Sequence, residues 1–453
     1  MSTASIRQRS TAGQQQKEAL MQKAEVKQQS EEAAAIAQGK QFVPPTYTIK
    51  QLLDAIPAHC YERSAIKSSQ YIVQDVIALG CLVWASFKTD PFLASFNLPN
   101  PAYQLARAVI HTSISIWMGL FGTGLWIIAH ECGHQAFSES KQINNAVGWV
   151  LHSILLVPYH SWRISHGRHH AATGHVTRDE VFVPKTRSEY GAPAIKEEAE
   201  IDGISVSQQR QEELKEAIGD APIVVLYHLV VQQLFGWPAY LIRNASGQRR
   251  YPKMTNHFQP SSIIFKPEHW SQIIMSDVGL LIVLSAVGYW ASQRGFKEVL
   301  VLYILPYLQV NHWLVAITFA QHTDPLLPHY SAKQWTFAKG ALCTFDRKFF
   351  GPIGKHVLHG ICETHVAHHI SSKIPHYAAW DATEAIKNYV GEYYHYTDEN
   401  FLKSVFNNYR QCRFIEDTGD VLFYKNARGV AAYAAVAPES QSDSGVDVSA
   451  DKN

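Results

Sequence analysis

The chain has 453 residues, 46% of them hydrophobic, and a formal net charge of +1. This near-neutral charge gives no reason to expect nucleic acid binding. Its six cysteines are scattered without a CxxC pair, which excludes a typical disulfide framework and favours a reducing, cytosolic environment. The length allows either several soluble domains or one membrane domain, so the distribution of apolar residues must decide.

The two ends of the chain are polar. Residues 8–40 are rich in Gln, Ala, Glu and Lys, which predicts that the N-terminal region, 1–54, is solvated and partly disordered. No short apolar core follows a basic start, so we expect no cleavable secretory signal. Residues 426–453 predict a flexible tail because Ser, Asp and Gly are frequent from Pro438 onward. The folded domain is therefore expected at residues 55–425.

Four apolar stretches predict membrane-spanning helices in two hairpins. Residues 109–129 contain a single ionisable side chain and are long enough to cross a bilayer. The weaker stretch at residues 72–93 is interrupted by charges and is expected to be their partner. Residues 272–292 and 299–320 are separated by a short turn at Gly295, which predicts the second hairpin.

Two other apolar runs are not expected to cross. Residues 146–157 are too few. Residues 222–242 are long enough but contain several polar residues. If the histidine motifs on both sides of this run build one site, the number of crossings between them must be even, so we predict that residues 222–242 lie in the interface or re-enter.

The predicted fold class is therefore all-α. It is a polytopic membrane protein with four transmembrane helices in two hairpins, and its cytosolic helical cap holds a histidine-rich metal site. Both termini and all histidine motifs share one face. Many Arg and Lys residues stand between Trp162 and Lys266, which favours the cytosol for that face.

Three motifs supply the candidate metal ligands. HECGH occurs once and HxxHH occurs twice, and residues three and four apart share one face of a helix, so each motif can aim its rings at one point. One more histidine follows the fourth span as HECGH follows the second. The nine candidates are His130, His134, His166, His169, His170, His322, His365, His368 and His369.

The number of candidate ligands implies two metal ions, because one ion takes at most about six ligands. Imidazole suits Zn, Fe, Cu or Ni, so the ligand type alone does not name the metal. Nearby carboxylates either orient ring N–H groups or are solvated surface charges: Asp179, Glu180, Asp324, Glu363 and Asp381. No direct ligand role is expected for His160, His175, His312, His329, His356, His359 and His376.

Two other classes of protein are open on the residues alone. HECGH satisfies HExxH, in which Glu131 would be the general base of a zinc protease. A protease, however, has no use for two further HxxHH motifs. A metal transporter would need ionisable residues within its spans, whereas these histidines stand at span ends and Asp277 is the main exception.

The motifs also resemble those of a known family. HECGHQAF, SHGRHHAATGH and ETHVAHHISSKIPHY resemble the three histidine boxes of the membrane-bound fatty acid desaturases, over about residues 55–425. QHTDPLLPHY, KGALCTFDR and GEYY are similar to the oleate Δ12 group of fungi and plants within that family. The resemblance is specific because separate motifs occur in the family's order and spacing.

The resemblance implies a cytosolic cap with two non-haem iron ions, held by the eight box histidines and by His322. Where relatives have an asparagine that holds a water on iron, four positions before that histidine, this chain has Thr318. The last coordination position is therefore open.

The resemblance further implies the reaction and its partners. It implies O2-dependent formation of a cis double bond at Δ12 of an oleoyl chain, carried by a phospholipid or by CoA, at the endoplasmic reticulum membrane. Hydroxylation, acetylenic bond formation and ω3 desaturation are alternatives within the family. No HPGG segment marks a fused haem domain, so a separate cytochrome b5 and its NADH-dependent reductase are the expected electron donors.

Overall fold

The computed structural model describes residues 41–192, 219 and 221–435. The predictions for residues 8–40 and for the tail from Pro438 lie outside these residues. Within them the chain is mostly helical, and in chain order helices α1 to α15 are Ile49–Ala55, Ala65–Ala94, Asn100–Gly133, Lys141–Ile154, Tyr159–His170, Arg187–Tyr190, Pro222–Arg243, Trp270–Arg294, Phe296–Val299, Leu305–His322, Phe337–Ala341, Pro352–His356, His365–Ile370, Ala379–Val390 and Phe401–Gln411.

Six short strands modify the prediction of an all-α protein. Strands β1 to β6 are Gln41–Phe42, Pro328–Tyr330, Asp346–Arg347, Tyr396–Thr397, Val421–Phe423 and Ala434–Ala435. They form three two-stranded pairs: β1 with β6 and β3 with β4 are parallel, and β2 with β5 is antiparallel. These pairs join segments that are far apart in sequence.

The first predicted hairpin is formed by α2 and α3, which pack against each other. Helix α2 begins well before the predicted span, where the Ser64 hydroxyl accepts a hydrogen bond from the Lys67 N–H at 3.3 Å and caps the helix. Its carboxylates have partners. Asp75 lies 2.8 Å from the His359 ring, and Asp90 accepts from Arg107 of α3 at 2.6 Å. The two carboxylates that weakened the prediction are thus paired within the fold.

The second predicted hairpin is α8 followed by α10. Gly295 has φ 87° at the turn, a left-handed conformation that glycine adopts without strain. After α9, the π-helical turn Leu300–Ile304 leads directly into α10. The predicted boundaries are therefore close to those observed.

Among the described residues, five helices are long and apolar enough to cross a membrane, one more than the four predicted. They are α2, α3, α7, the stretch that contains α8, and the stretch Phe296–His322. Helix α4 has 14 residues and is not in this set. The additional candidate is α7, and its crossing or interfacial position decides the topology.

Close packing between α3 and α10 sets the position of two histidines. A Cβ on Gly119 of α3 would lie 2.2 Å from the Cβ of Gln309, and one on Gly122 would lie 2.8 Å from the Val310 side chain. Only glycine allows this approach of the two helices. The helices end at neighbouring points, where α3 presents His130 and α10 presents His322.

Candidate metal centre

The HECGH motif lies at the end of α3. His130 is in the last helical turn and His134 is the C-cap residue, so their Nε2 atoms come within 3.2 Å of each other. Gly133 lets this end of α3 approach α5, because a Cβ there would lie 3.3 Å from the Trp162 ring. The first motif is thereby placed directly beside the second.

The second motif occupies the last turn of α5 and its rings diverge. His166 and His170, four residues apart, have Nε2 atoms 3.1 Å apart. His169 points instead toward α10, where its Nε2 lies 3.4 Å from that of His322. The Nδ1 of His169 is 2.6 Å from a carboxylate oxygen of Asp179. One helix therefore supplies ligand candidates to two different positions.

The third motif forms the short helix α13. His365 Nε2 lies 2.9 Å from His322 Nε2. The Nε2 atoms of His368 and His369 are buried and have no hydrogen-bond partner among the described residues. Buried polar atoms are normally paired, so these two nitrogens are oriented for a ligand that the polypeptide itself does not supply.

All nine predicted histidines are brought together. The five-histidine group is His130, His134, His166, His170 and His368, and the three-histidine group is His169, His322 and His369. Within each group the potential ligand nitrogens lie within 4.8 Å of one another. His365 adjoins the three-histidine group through its contact with His322. We call all nine residues the histidine centre. Two groups fit two metal ions better than one.

Burial keeps six of these imidazoles neutral and able to bind a cation. Removal from water, followed by the effect of neighbouring rings, lowers the pKa of His368 to about 3. The pKa of five other rings outside the spans is also well below its usual value: His134, His166, His170, His365 and His369. At neutral pH these six rings have lone pairs on nitrogen, which metal binding requires.

Glu131 lies behind the rings of the five-histidine group. Its carboxylate accepts a hydrogen bond from the backbone N–H of His376 at 3.1 Å. It also lies 3.6 Å from Nδ1 of His130 and 3.8 Å from Nδ1 of His368, on the side away from the converging Nε2 atoms. This placement suits a group that orients ligands and does not suit the general base of a protease.

The remaining acidic candidates divide into one that contacts a motif histidine and several that do not. Asp179 holds His169, which is one of the two alternatives left open for these carboxylates by the sequence. Glu180 binds Arg168 and Tyr251, Asp324 binds Arg347, Glu363 accepts from the Phe349 N–H, and Asp381 pairs with His59. Glu180, Asp324 and Glu363 are buried, so the prediction that they are solvated surface charges is wrong. Among these four carboxylates that prediction fits only Asp381.

Sequence reasoning missed the support of α13. Asp346 accepts a hydrogen bond from the Val366 N–H at 2.9 Å in the first turn of that helix, and the Tyr394 hydroxyl donates to the same carboxylate. Both residues belong to stretches already noted for their resemblance, KGALCTFDR and GEYY. The signal was therefore present, but its physical role was visible only in the fold.

An apolar cavity of about 320 Å³ reaches the histidine centre. Its walls come from α3, α5, α7 and α10, and His130, His166, His169, His322 and His365 line its inner end. Trp126, Trp162 and Trp237 contribute aromatic surface, and Gly236 leaves space in α7. The cavity suits a long apolar substrate that presents an unactivated carbon to the metal site.

Thr318 and Gln321 border both the cavity and the centre. The Thr318 hydroxyl donates to the Leu314 carbonyl of its own helix at 2.8 Å. Gln321 donates through Nε2 to the Ile361 carbonyl at 2.7 Å, whereas its buried Oε1 has no partner among the described residues. The open coordination position noted at Thr318 therefore has a second polar neighbour in Gln321.

Several apolar helices, a buried histidine centre and an apolar cavity define a helical membrane protein with a metal-binding site. Residues 108–401 match the family model described as fatty acid desaturase. The chain belongs to the fatty acid desaturase family and is thus an oxidoreductase.

Individual relatives cover most of the chain. A Delta(12) fatty acid desaturase of Mortierella isabellina is 49% identical over 84% of this chain and 91% of its own. An oleate hydroxylase of Claviceps purpurea is 41% identical over 86% and 83%. A Delta(12)-fatty-acid desaturase of Arabidopsis thaliana is 38% identical over 84% and 92%.

Proposed function

We propose that the protein converts an oleoyl chain, bound to a phospholipid, into a linoleoyl chain by forming a cis double bond at Δ12. The observation that carries this proposal is the opening of the histidine centre onto an apolar cavity, in a chain 49% identical to a Delta(12) fatty acid desaturase. The overall conversion removes two hydrogens from adjacent methylenes. With two electrons and two further protons, O2 is reduced to two waters.

The metal we propose is iron, one ion in each histidine group. The five-histidine group would hold one ion, and the three-histidine group together with His365 would hold the other. The neutral rings and the unpartnered Nε2 atoms of His368 and His369 fit a divalent transition metal. Bound iron would supply reductive activation of O2, with electrons from a separate cytochrome b5 and its NADH-dependent reductase.

The contribution of the protein to the reaction is positioning. The cavity walls exclude water and hold a flexible acyl chain against the histidine centre, so that one C–H bond faces the metal site. The indole rings of Trp126, Trp162 and Trp237 give contact area to a chain that has no polar group to recognise. Such positioning would determine which carbon reacts, while the metal supplies the oxidising power.

The contact between the motifs also supports the predicted topology. The rings of His170 and His369 stack at 4.0 Å, although α7, α8 and α10 lie between them in the sequence. Three crossings would place these rings on opposite sides of a membrane. We therefore infer that α8 and α10 cross as a hairpin, and that α7 lies in the interface of the endoplasmic reticulum membrane with the centre on the cytosolic side.

A second candidate, 12-hydroxylation of the same chain, is favoured by the similarity to the Claviceps oleate hydroxylase. It would use the same centre and cavity and differ in the fate of the first carbon attacked. The product therefore separates the two functions.

The test is expression in a host that makes oleate but no linoleate, with fatty acids analysed by gas chromatography and mass spectrometry. We expect cis-9,12-octadecadienoate from the wild type and none from His365→Ala. His356→Ala, which changes an exposed histidine outside the centre, is the matched control and should retain activity. Unchanged lipids with an intact, iron-loaded protein and reductant would contradict the proposal, and 12-hydroxyoleate as the main product would favour hydroxylation.

A further inference from the structure

A second pocket adjoins the apolar cavity and has the opposite character. It has a volume of about 310 Å³ and is formed by the segment at residues 183–185 and by the loop that follows α7, residues 243–253. We call it the basic pocket. Ala245 and Ser246 line both the basic pocket and the apolar cavity, so the two spaces share a wall.

The basic pocket is cationic. Lys185, Arg243, Arg249 and Lys253 line it, and no carboxylate is among the lining residues that the structure describes. Within the part of the chain that the structure describes, only Arg249 of these four has an ion-pair partner, Glu189 at 2.6 Å. Uncompensated cations around one concave space attract an anion, and phosphate oxygens match the donors of lysine and arginine.

The loop is fixed relative to the histidine centre. The Val183 N–H donates to the Ser246 carbonyl at 3.2 Å, and Asn244 donates to the Gln248 carbonyl at 3.2 Å. Gln248 in turn donates to the backbone carbonyl of Asp179, whose carboxylate holds His169. A group bound in the basic pocket would therefore be held at a set position from the metal site.

Exposed apolar side chains flank the cations. Ile242 is 52% exposed beside Arg243, and Met254 is 64% exposed beside Lys253. Phe235 is 58% exposed on the same helix, α7. Apolar groups next to basic heads are typical of a segment at the level of lipid headgroups. The basic pocket would thus open where the phosphates of a bilayer lie.

We propose that the basic pocket binds the phosphate diester of a glycerophospholipid whose acyl chain occupies the apolar cavity. This inference rests on the proposed function, since it names the residues that recognise the phospholipid carrier of the acyl chain. Acyl-CoA also carries phosphate, but the exposed apolar side chains around the pocket favour the phospholipid. Recognition of the headgroup would fix how far the chain enters, and thereby which methylenes reach the centre.

The test compares carriers of the same acyl chain. The purified full-length protein, with electron donors, is assayed on dioleoyl phosphatidylcholine, oleoyl-CoA and dioleoylglycerol, the last of which has no phosphate. In Arg243→Gln/Lys253→Gln we expect the KM for dioleoyl phosphatidylcholine to rise about tenfold, since two charge-assisted contacts are lost, with kcat within about twofold. The KM for dioleoylglycerol should not change.

A matched control removes two exposed cations outside the basic pocket, as Lys141→Gln/Lys348→Gln, and should leave all KM values unchanged. Binding of a fluorescent phosphatidylcholine with saturated chains gives a readout that needs no turnover. Its Kd should rise about tenfold in the Arg243→Gln/Lys253→Gln variant and stay constant in the control.

Four outcomes would overturn the inference. They are unchanged KM and Kd for phosphatidylcholine, an equal rise in KM for dioleoylglycerol, a rise for oleoyl-CoA alone, and a fall in kcat on all carriers, which would indicate a docking surface for the electron donor. If the wild type forms no linoleoyl product from any carrier, the proposed function fails, and the binding measurement still decides the role of the basic pocket.

Discussion

The histidine centre and the apolar cavity are built largely on the same helices but by opposite means. The centre uses polar rings at the ends of α3, α5 and α10 and in α13, with nitrogen atoms oriented by helical spacing and by carboxylates behind them. The cavity lies alongside, between these helices and α7, and depends on side chains that are apolar, aromatic or missing, as at Gly236. The polar side chains of the centre thus specify the chemistry. The choice of substrate depends partly on a position without a side chain, Gly236.

This difference predicts different consequences of substitution. A change in the centre should abolish or slow the reaction on every substrate, because all substrates meet the same metal site. A change in the cavity should alter the preference among substrates and leave the metals in place. Substitutions in the two regions therefore test whether centre and cavity are separable.

His368→Ala should remove activity completely. His368 is the one residue of the third motif in the five-histidine group, so its loss opens that group while the three-histidine group stays intact. We expect iron to fall from two ions per chain toward one, measured by mass spectrometry of the purified protein, and no linoleate in the host. Full iron content together with normal activity would contradict the assignment, and His356→Ala again serves as the control.

Asp179→Asn should reduce activity by about 10- to 100-fold, the usual cost of losing a carboxylate that orients a metal-bound histidine. The substitution keeps the size of the side chain but removes the charge 2.6 Å from Nδ1 of His169. The measurement is kcat together with retention of iron during dialysis against a chelator. Asp381→Asn removes a surface carboxylate paired with His59 and should change neither quantity.

Gly236→Leu should change substrate choice. A Cβ at this position would meet Val315 and Gln232 at 3.5–3.7 Å, so alanine fits and a larger side chain would extend into the apolar cavity. We expect kcat/KM for an 18-carbon substrate to fall about tenfold, because overpacking costs about one to two kcal/mol of binding free energy. A 16-carbon substrate should be affected less.

Gly288→Leu is the matched control for this cavity variant. Gly288 is an exposed glycine within α8, and a Cβ there meets nothing within 4 Å. The control has the same change of residue and a similar gain in helix propensity, and we expect wild-type chain-length preference from it. Loss of iron in Gly236→Leu would show that centre and cavity are not separable.

The clustering of the nine histidines could be predicted from sequence because their signal is local. Residues three and four apart lie on one face of any helix, and the ends of the apolar stretches indicate which helices carry the motifs. The same local signal predicted the bounds of the four apolar helices to within nine residues. Asp179 was among several carboxylates near the motifs, but sequence could not separate it from Glu363, which binds a backbone N–H instead.

Features that depend on distant partners could not be predicted in this way. The charge of Asp75 weakened the prediction of the first span, yet Asp75 is fully buried against His359, nearly three hundred residues away. Tyr394 stood in a noted motif, but its support of α13 through Asp346 needs the pairing of β3 with β4. The cavity has no motif at all, since its shape follows from how four helices pack.

The boundary between centre and cavity can be located with Thr318, where we expect the smallest effect. Its hydroxyl donates to Leu314 of its own helix, so Thr318→Val should remove a local backbone contact and leave kcat within about twofold of wild type. Gln321→Leu should cost more, because it leaves the buried Ile361 carbonyl without its donor at 2.7 Å and removes the unpartnered Oε1 near His322. The measurements are kcat and iron content for both variants in the same preparation. If Thr318→Val loses iron and Gln321→Leu does not, the threonine hydroxyl contributes to metal binding. The centre then extends one helical turn further along α10 than the nine histidines indicate.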